Sequence, residues 1–235
     1  MKTILFIHGF SAKNEDNIYF LDYLKNKRVD VHTFILPGHL ENKVKKITYD
    51  KWLEASEEEL KNLLEKKKDV ILIGHSMGGA IATILATKYN VKKLVLIAPA
   101  FQVGSIRQNI TDFKNLILGK RNKELGTGFE GVLDKTLHVS KSSMLEVKKV
   151  ADLAKEKIKD VKCPVLLLHG TMDNLVPITS SIELFSNFNT NKTFTLLTNV
   201  RHQVFKSNKK EIISKYIYKY IKGGIPFLIN KRNEI

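Results

Sequence analysis

Six short apolar runs recur along the 235-residue chain, and they limit its fold more than anything else in it. They are TILFIHG from Thr3, VDVHTFILPG from Val29, DVILIGH from Asp69, KKLVLIAPA from Lys92, CPVLLLHG from Cys163 and KTFTLLTN from Lys192. Most lack polar alternation and are rich in Ile, Leu and Val, which is how strands covered on both faces read. Helix-like patterns separate them, over Asn17 to Asn26, Tyr49 to Lys67, Met77 to Lys88, Ser180 to Phe188 and Lys209 to Lys222. This alternation predicts an α/β fold: a mostly parallel sheet of about six strands, flanked by helices, with its ligand site beyond the carboxyl ends of the strands. Residues 101–162 break the rhythm, with helical stretches around the Gly-containing middle LGTGFEG and no strand. A structureless loop of roughly sixty residues does not suit a compact domain. The interval 101–162 is therefore expected to be an inserted helical cap, or lid, on a single core made of 1–100 and 163–235.

The runs end in chemically useful residues: His8-Gly9, Pro37-Gly38-His39, Gly74-His75-Ser76, and His169-Gly170 just before Asp173. The third is the most informative, because GHSMGG follows a buried strand and opens a helix. A phosphate loop of the Walker type needs a Gly-Lys-Ser/Thr ending, and a dinucleotide loop needs G-x-G-x-x-G, so neither fits. A sharp strand-to-helix elbow does fit. There Gly74 and Gly78 remove side chains that would collide, and Ser76 occupies the strained apex. The helix that follows aims its amino-terminal amides and dipole at charge formed on attack by Ser76.

A serine hydroxyl is a weak nucleophile unless a base adjoins it. Of seven histidines, only His202 follows the last expected strand, where a loop at the carboxyl edge can bring its imidazole over Ser76. HGTMDNLVP places Asp173 just past the fifth run. The chain order Ser76, Asp173, His202 suits a catalytic triad on such a sheet. The expected oxyanion hole consists of the backbone N–H of Met77, in the elbow, and of Phe10, in the loop after the first strand. His8 and His39 are expected to order turns, His75 and His169 to pack at strand ends hydrogen-bonded to backbone, and Trp52 to be core. No pair of histidines has a metal-ligand spacing such as HExxH, so no metal is expected.

Composition narrows the setting. The 43% hydrophobic and 27% charged content is that of a soluble globular protein, and no apolar run approaches the length of a spanning helix. The single cysteine, Cys163, excludes an internal disulfide and reads as a small buried residue. With no signal-peptide pattern after Met1-Lys2, a cytoplasmic protein is expected. The net charge of +15 is concentrated toward residues 201–235, which hold nine Lys or Arg against two Glu. Compositional bias explains this more simply than a nucleic-acid partner, and none is expected. Peripheral contact with an anionic membrane through Lys206, Lys209, Lys210, Lys215, Lys219 and Lys222 remains open.

FIHGF, LPGH, GHSMGG, HGTMDNLVP and Arg201-His202 together resemble the α/β-hydrolase family, in its small bacterial carboxylesterase and monoacylglycerol lipase branch. They span Phe6 to His202, and the 101–162 insertion is similar in length to that group's helical cap. The resemblance implies hydrolysis of short-to-medium acyl esters through an acyl-serine intermediate, with no cofactor, by a monomer or homodimer. Two departures are Leu40 after LPGH, where another Gly is frequent, and Val200-Arg201 before the histidine. The chain also starts directly at the oxyanion strand, so a minimal six-stranded sheet without antiparallel edge strands is expected. A thioesterase or serine aminopeptidase of this fold, and a non-catalytic ligand-binding relative, are the competing expectations.

Overall fold

A computed structural model describes residues 2–10, 14–39, 47–102 and 141–224. The strands are β1 (Thr3–Ile7), β2 (Asp30–Thr33), β3 (Val70–His75), β4 (Lys93–Ile97), β5 (Val165–Gly170) and β6 (Lys192–Leu197). The helices are α1 (Ile18–Asn26), α2 (Tyr49–Lys66), α3 (Met77–Lys88), α4 (Lys141–Lys157), α5 (Ile178–Phe185) and α6 (Lys210–Lys222). The sheet order is β2-β1-β3-β4-β5-β6, and every pairing is parallel. The chain goes from β1 outward to β2, then crosses back to β3. This reversal opens a crevice between the carboxyl ends of β1 and β3, where open α/β sheets hold their ligands.

The four inner strands, β1, β3, β4 and β5, are largely apolar because both of their faces are covered, whereas the edge strands β2 and β6 are only partly buried. Side chains alternate along each strand, so Leu5, Ile7, Leu72, Leu94, Leu96, Val165 and Leu167 pack beneath α2, α3 and α4. Ile4, Phe6, Ile71, Ile73, Val95, Ile97, Leu166 and Leu168 pack against α1 and α6 on the other side. β2, at the sheet edge, is shorter than its apolar run. Beyond Thr33 the backbone leaves the sheet, and the Leu36 N–H donates to Nε2 of His8 (3.0 Å) instead of to a strand.

Within the interval expected to form a cap, residues 103–140 lie outside the described residues. Residues 141–157 form α4, which belongs to the same layer as α2 and α3. Met144, Val147, Val150 and Ala154 recur at helical spacing and join the apolar cluster of Ile84 and Leu85. Glu146 on α4 also accepts the Tyr49 N–H at the start of α2 (3.0 Å), satisfying a helix-end donor that has no acceptor within α2. The core layer thus takes in residues that the sequence pattern groups with the insertion. Among the described residues, no helix is long and apolar enough to cross a membrane.

Candidate active site

β3 passes directly into α3 through Ser76, whose φ of 55° and ψ of −122° are rare for a residue with a side chain. Such a backbone costs about 1–3 kcal/mol and persists only where its surroundings enforce it. Three hydrogen bonds do so: Ser76 N–H to Ile97 O (3.0 Å), Ala100 N–H to Ser76 O (3.0 Å) and Gly79 N–H to Ser76 O (2.9 Å). The flanking glycines solve two separate steric problems. A Cβ on Gly74 would lie 2.3 Å from Gly78 O, as the elbow geometry requires. A Cβ on Gly78 would instead lie 2.1 Å from Ile7 O and 2.6 Å from His8 O, so this glycine clears space for the end of β1.

The same close approach brings the loop after β1 to Ser76. A Cβ on Gly9 would come within 3.0 Å of Ser76 Cβ, and Phe10 follows with 7% exposure. Met77, fully buried, is the first residue of α3, where N–H groups have no acceptor within the helix. Beneath this loop His8, Phe10, His39 and Trp52 form an edge-to-face cluster, with ring centroids 5.2–5.9 Å apart in each contacting pair. His8 donates from Nδ1 to Gly9 O (2.8 Å) and accepts at Nε2 from Leu36, which fixes its tautomer. Burial pushes its pKa down to about 4, so it is a neutral strut. Trp52 donates to Pro37 O (3.1 Å), and His39 Nδ1 also contacts that oxygen at 3.1 Å.

Asp173 and His202, 29 residues apart, meet at 2.7 Å between Oδ2 and Nδ1. Oδ1 of Asp173 accepts the Leu175 and Val176 N–H groups, each at 2.9 Å. Burial alone would raise the carboxyl pKa; the attraction of His202 and hydrogen bonds from His169 and His202 outweigh it and hold the group well below the usual range. The two supporting loops are laced by Met172 N–H to Val200 O (3.0 Å) and Asn199 N–H to Thr171 Oγ1 (3.0 Å). They meet so closely that a Cβ on Gly170 would lie 2.1 Å from Val200 O.

The structure therefore brings Ser76, Gly9, Phe10 and Met77 together at the crevice, and Asp173 to His202. A direct link joins the groups: His75, which precedes Ser76, donates from Nε2 to His202 O (2.9 Å), with the two rings 5.1 Å apart. Burial lowers its pKa to about 4. Among the described residues the hydrogen bonds of His202 run from Nδ1 to Asp173 Oδ2 and, at its carbonyl, from His75 and Val204, and none runs to Ser76 Oγ. His75 and His169 are buried at strand ends and hydrogen-bond backbone carbonyls, as expected, His75 that of His202 and His169 that of Val176 (3.1 Å); His169 Nε2 also lies 3.2 Å from Asp173 Oδ2. Their one sequence signal is position, each being at or beside the last residue of its strand. His138 lies outside the described residues. Cys163 is free and buried, its thiol pushed up to about 11 by burial. Among the described residues no cluster of three or more His, Cys, Asp or Glu could hold a metal ion.

A model described as "Alpha/beta hydrolase family" matches residues 4–200. The chain is 26% identical over 234 residues to a Mycoplasma genitalium protein named "Putative esterase/lipase 3", covering 88% of this chain and 82% of that one. It is also 26% identical over 255 residues to a pimeloyl-[acyl-carrier protein] methyl ester esterase of Wigglesworthia glossinidia brevipalpis, covering 93% and 94%. Among solved structures, the monoacylglycerol lipase of Paleococcus ferrophilus superposes with a TM-score of 0.74 at 20% identity, over 94% of both chains.

Proposed function

The chain belongs to the alpha/beta hydrolase family, and from that premise we propose that it is a serine carboxylic-ester hydrolase of the carboxylesterase and monoacylglycerol lipase type. It cleaves short-to-medium acyl esters through an acyl-Ser76 intermediate. The observation that carries this is the strained Ser76 apex at the same sheet edge as a buried carboxylate–imidazole pair only 2.7 Å apart. The esterase and lipase names of the relatives favour an ester as the small-molecule substrate.

In this mechanism His202 takes the Ser76 proton through Nε2 as Ser76 Oγ attacks the acyl carbonyl. Asp173 keeps Nδ1 protonated and stabilises the imidazolium that forms. The Phe10 and Met77 N–H groups receive the oxyanion, a contribution worth about 10²- to 10³-fold per donor. His202 next protonates the departing alcohol. It then activates the water that releases the acid and frees Ser76. A cytoplasmic location with peripheral contact at an anionic membrane suits this substrate class. Exposed Lys215 and Lys219 on α6 support such contact, whereas Lys206 is already paired with Asp16.

Ser76→Ala tests the assignment. Turnover of a graded series of acyl esters, with a monoacylglycerol and an acyl thioester included, should fall to background, and labelling by a fluorophosphonate probe should disappear. Turnover or labelling equal to the parent's would remove Ser76 from the mechanism.

A further inference from the structure

Both oxygens of Asp173 face two donor groups. Oδ1 takes the Leu175 and Val176 amides. Oδ2 faces Nδ1 of His202 at 2.7 Å and Nε2 of His169 at 3.2 Å. His169 lies in β5 and is fully buried, as is Ser181 of α5, whose Oγ sits 2.8 Å from His169 Nδ1. The tautomer follows from the surroundings. Nε2 of His169 is flanked by two acceptors, Asp173 Oδ2 and Val176 O (3.1 Å), so it carries the hydrogen. Nδ1 is then the acceptor, and the Ser181 hydroxyl donates to it. The result is a buried relay: Ser181 hydrogen-bonds His169, and His169 Nε2, which donates to Val176 O, also lies 3.2 Å from Asp173 Oδ2, the oxygen that receives His202.

We propose that His169, oriented by Ser181, is a positioning residue for the reaction: it fixes the Asp173 carboxylate and shares the negative charge of Oδ2 with His202. This rests on the triad proposed above. A second donor on Oδ2 leaves less charge facing the imidazole. Asp173 therefore stabilises the imidazolium less than the carboxylate of a lone Asp–His pair would. Ordering matters as much, because a carboxylate held from four directions cannot swing away when His202 becomes cationic. Among the described residues the titratable groups facing this network are His75 from β3, which is neutral, and, further out, Asp16, whose charge acts on His75.

The test compares the parent with His169→Phe, His169→Gln and Ser181→Ala. Phe fills the space without a donor, whereas the Gln amide can restore an N–H near the Nε2 position. For His169→Phe the acid limb of the kcat/KM profile on a water-soluble ester should move up by about half to one pH unit. Its kcat should fall about tenfold, with KM within about twofold of the parent's. His169→Gln should return most of both effects, and Ser181→Ala should shift the limb in the same direction by less. The His202 Nδ1 proton resonance, followed by NMR against pH, should move in parallel and needs no turnover. Acid limbs and NMR titrations that coincide with the parent's in His169→Phe and Ser181→Ala would reduce His169 to a core filler and overturn the proposal. If His169→Phe does not fold, Ser181→Ala decides on the same criteria. A parent that neither turns over esters nor labels would instead overturn the ester-hydrolase proposal, and the NMR titration would still judge the network.

Discussion

The elbow at Ser76 and the rim carrying Asp173 and His202 lie at one edge of the sheet, yet they are built by different physics. At the elbow, backbone meets backbone: Gly74 packs on Gly78, and Gly78 packs on the last carbonyls of β1, a strand paired on both sides. At the rim, polar side chains meet across loops: Asp173 with two histidines and two amides, and His75 with the His202 carbonyl. Steric construction allows almost no relaxation, because the neighbouring strand cannot move without disturbing the sheet. Polar construction on loops can relax, and each displacement then costs geometry before it costs the fold.

The pair Gly78→Ala and Gly170→Ala breaks the comparison most severely. Each new Cβ would lie 2.1 Å from a backbone oxygen, so the two insults are matched. At Gly78 the oxygen is that of Ile7, within a central strand, and the loss should be at least about 3 kcal/mol, at or beyond the upper end of overpacking costs. At Gly170 the oxygen is that of Val200, in a loop, which can retreat and take His202 with it. Gly170→Ala should therefore keep most of its stability while losing most of its ester turnover. Urea unfolding and a turnover assay on both variants check this. Equal destabilisation, or an active Gly170→Ala enzyme, would dissolve the distinction.

The same division governs what could be read from the sequence. The four inner strands were legible because a strand buried on both faces writes its own composition, and α3 begins and ends where its pattern does. The elbow was legible because adjacent residues build it. The order of Ser76, Asp173 and His202 was enough to propose them together, and the short Asp173–His202 contact accords with it. Contacts between distant segments were not legible. Nothing near Gly78 reveals that β1 needs its space, nothing near Glu146 reveals that it caps a helix 97 residues away, and nothing near Ser181 reveals an acceptor on β5. His169 carried a faint signal four residues before Asp173, but the hydrogen-bond geometry that gives it a role depends on how β5, α5 and the Asp173 loop pack.

Acid sharpens the comparison without a mutation. His8 supports the oxyanion loop and His75 supports the rim, and burial holds each near a pKa of about 4, against 6.5 in an unfolded chain. Between these values the unfolded state binds more protons than the folded one, so stability is fully present above pH 6.5 and falls as pH drops toward 4. Each group contributes roughly 3 kcal/mol to that loss. Asp173 has the opposite linkage. Its carboxyl is depressed, so its contribution persists down to about pH 4 and is lost only below, outside this window. Chemical unfolding at pH 7 and 4.5 should show a drop of several kcal/mol in the parent. His75→Gln, whose amide can still reach the His202 carbonyl, should lose less stability over the same interval. A parent equally stable at both pH values would mean that these imidazoles do not carry the acid sensitivity.

Trp52→Phe is the mildest intervention, and it asks whether the two halves are independent. Trp52 lies on the elbow side: its ring packs on Phe10 and His39, and its N–H donates to Pro37 O. Phenylalanine keeps much of the packing and removes the donor. Pro37 O keeps its contact with His39 Nδ1, so the carbonyl is not orphaned and the cost should be about 1 kcal/mol. For a domain of this size that is a fall of roughly 2–4 °C in Tm. A looser Phe10 loop would weaken one of the two proposed oxyanion donors, so kcat/KM should fall several-fold, well short of the loss for a deleted donor. The acid limb of the pH profile should stay where it is in the parent, because no group on Asp173 or His202 has changed. If that limb moves with Trp52→Phe, the aromatic cluster and the Asp173 network are mechanically coupled, and the division between a steric half and a polar half fails.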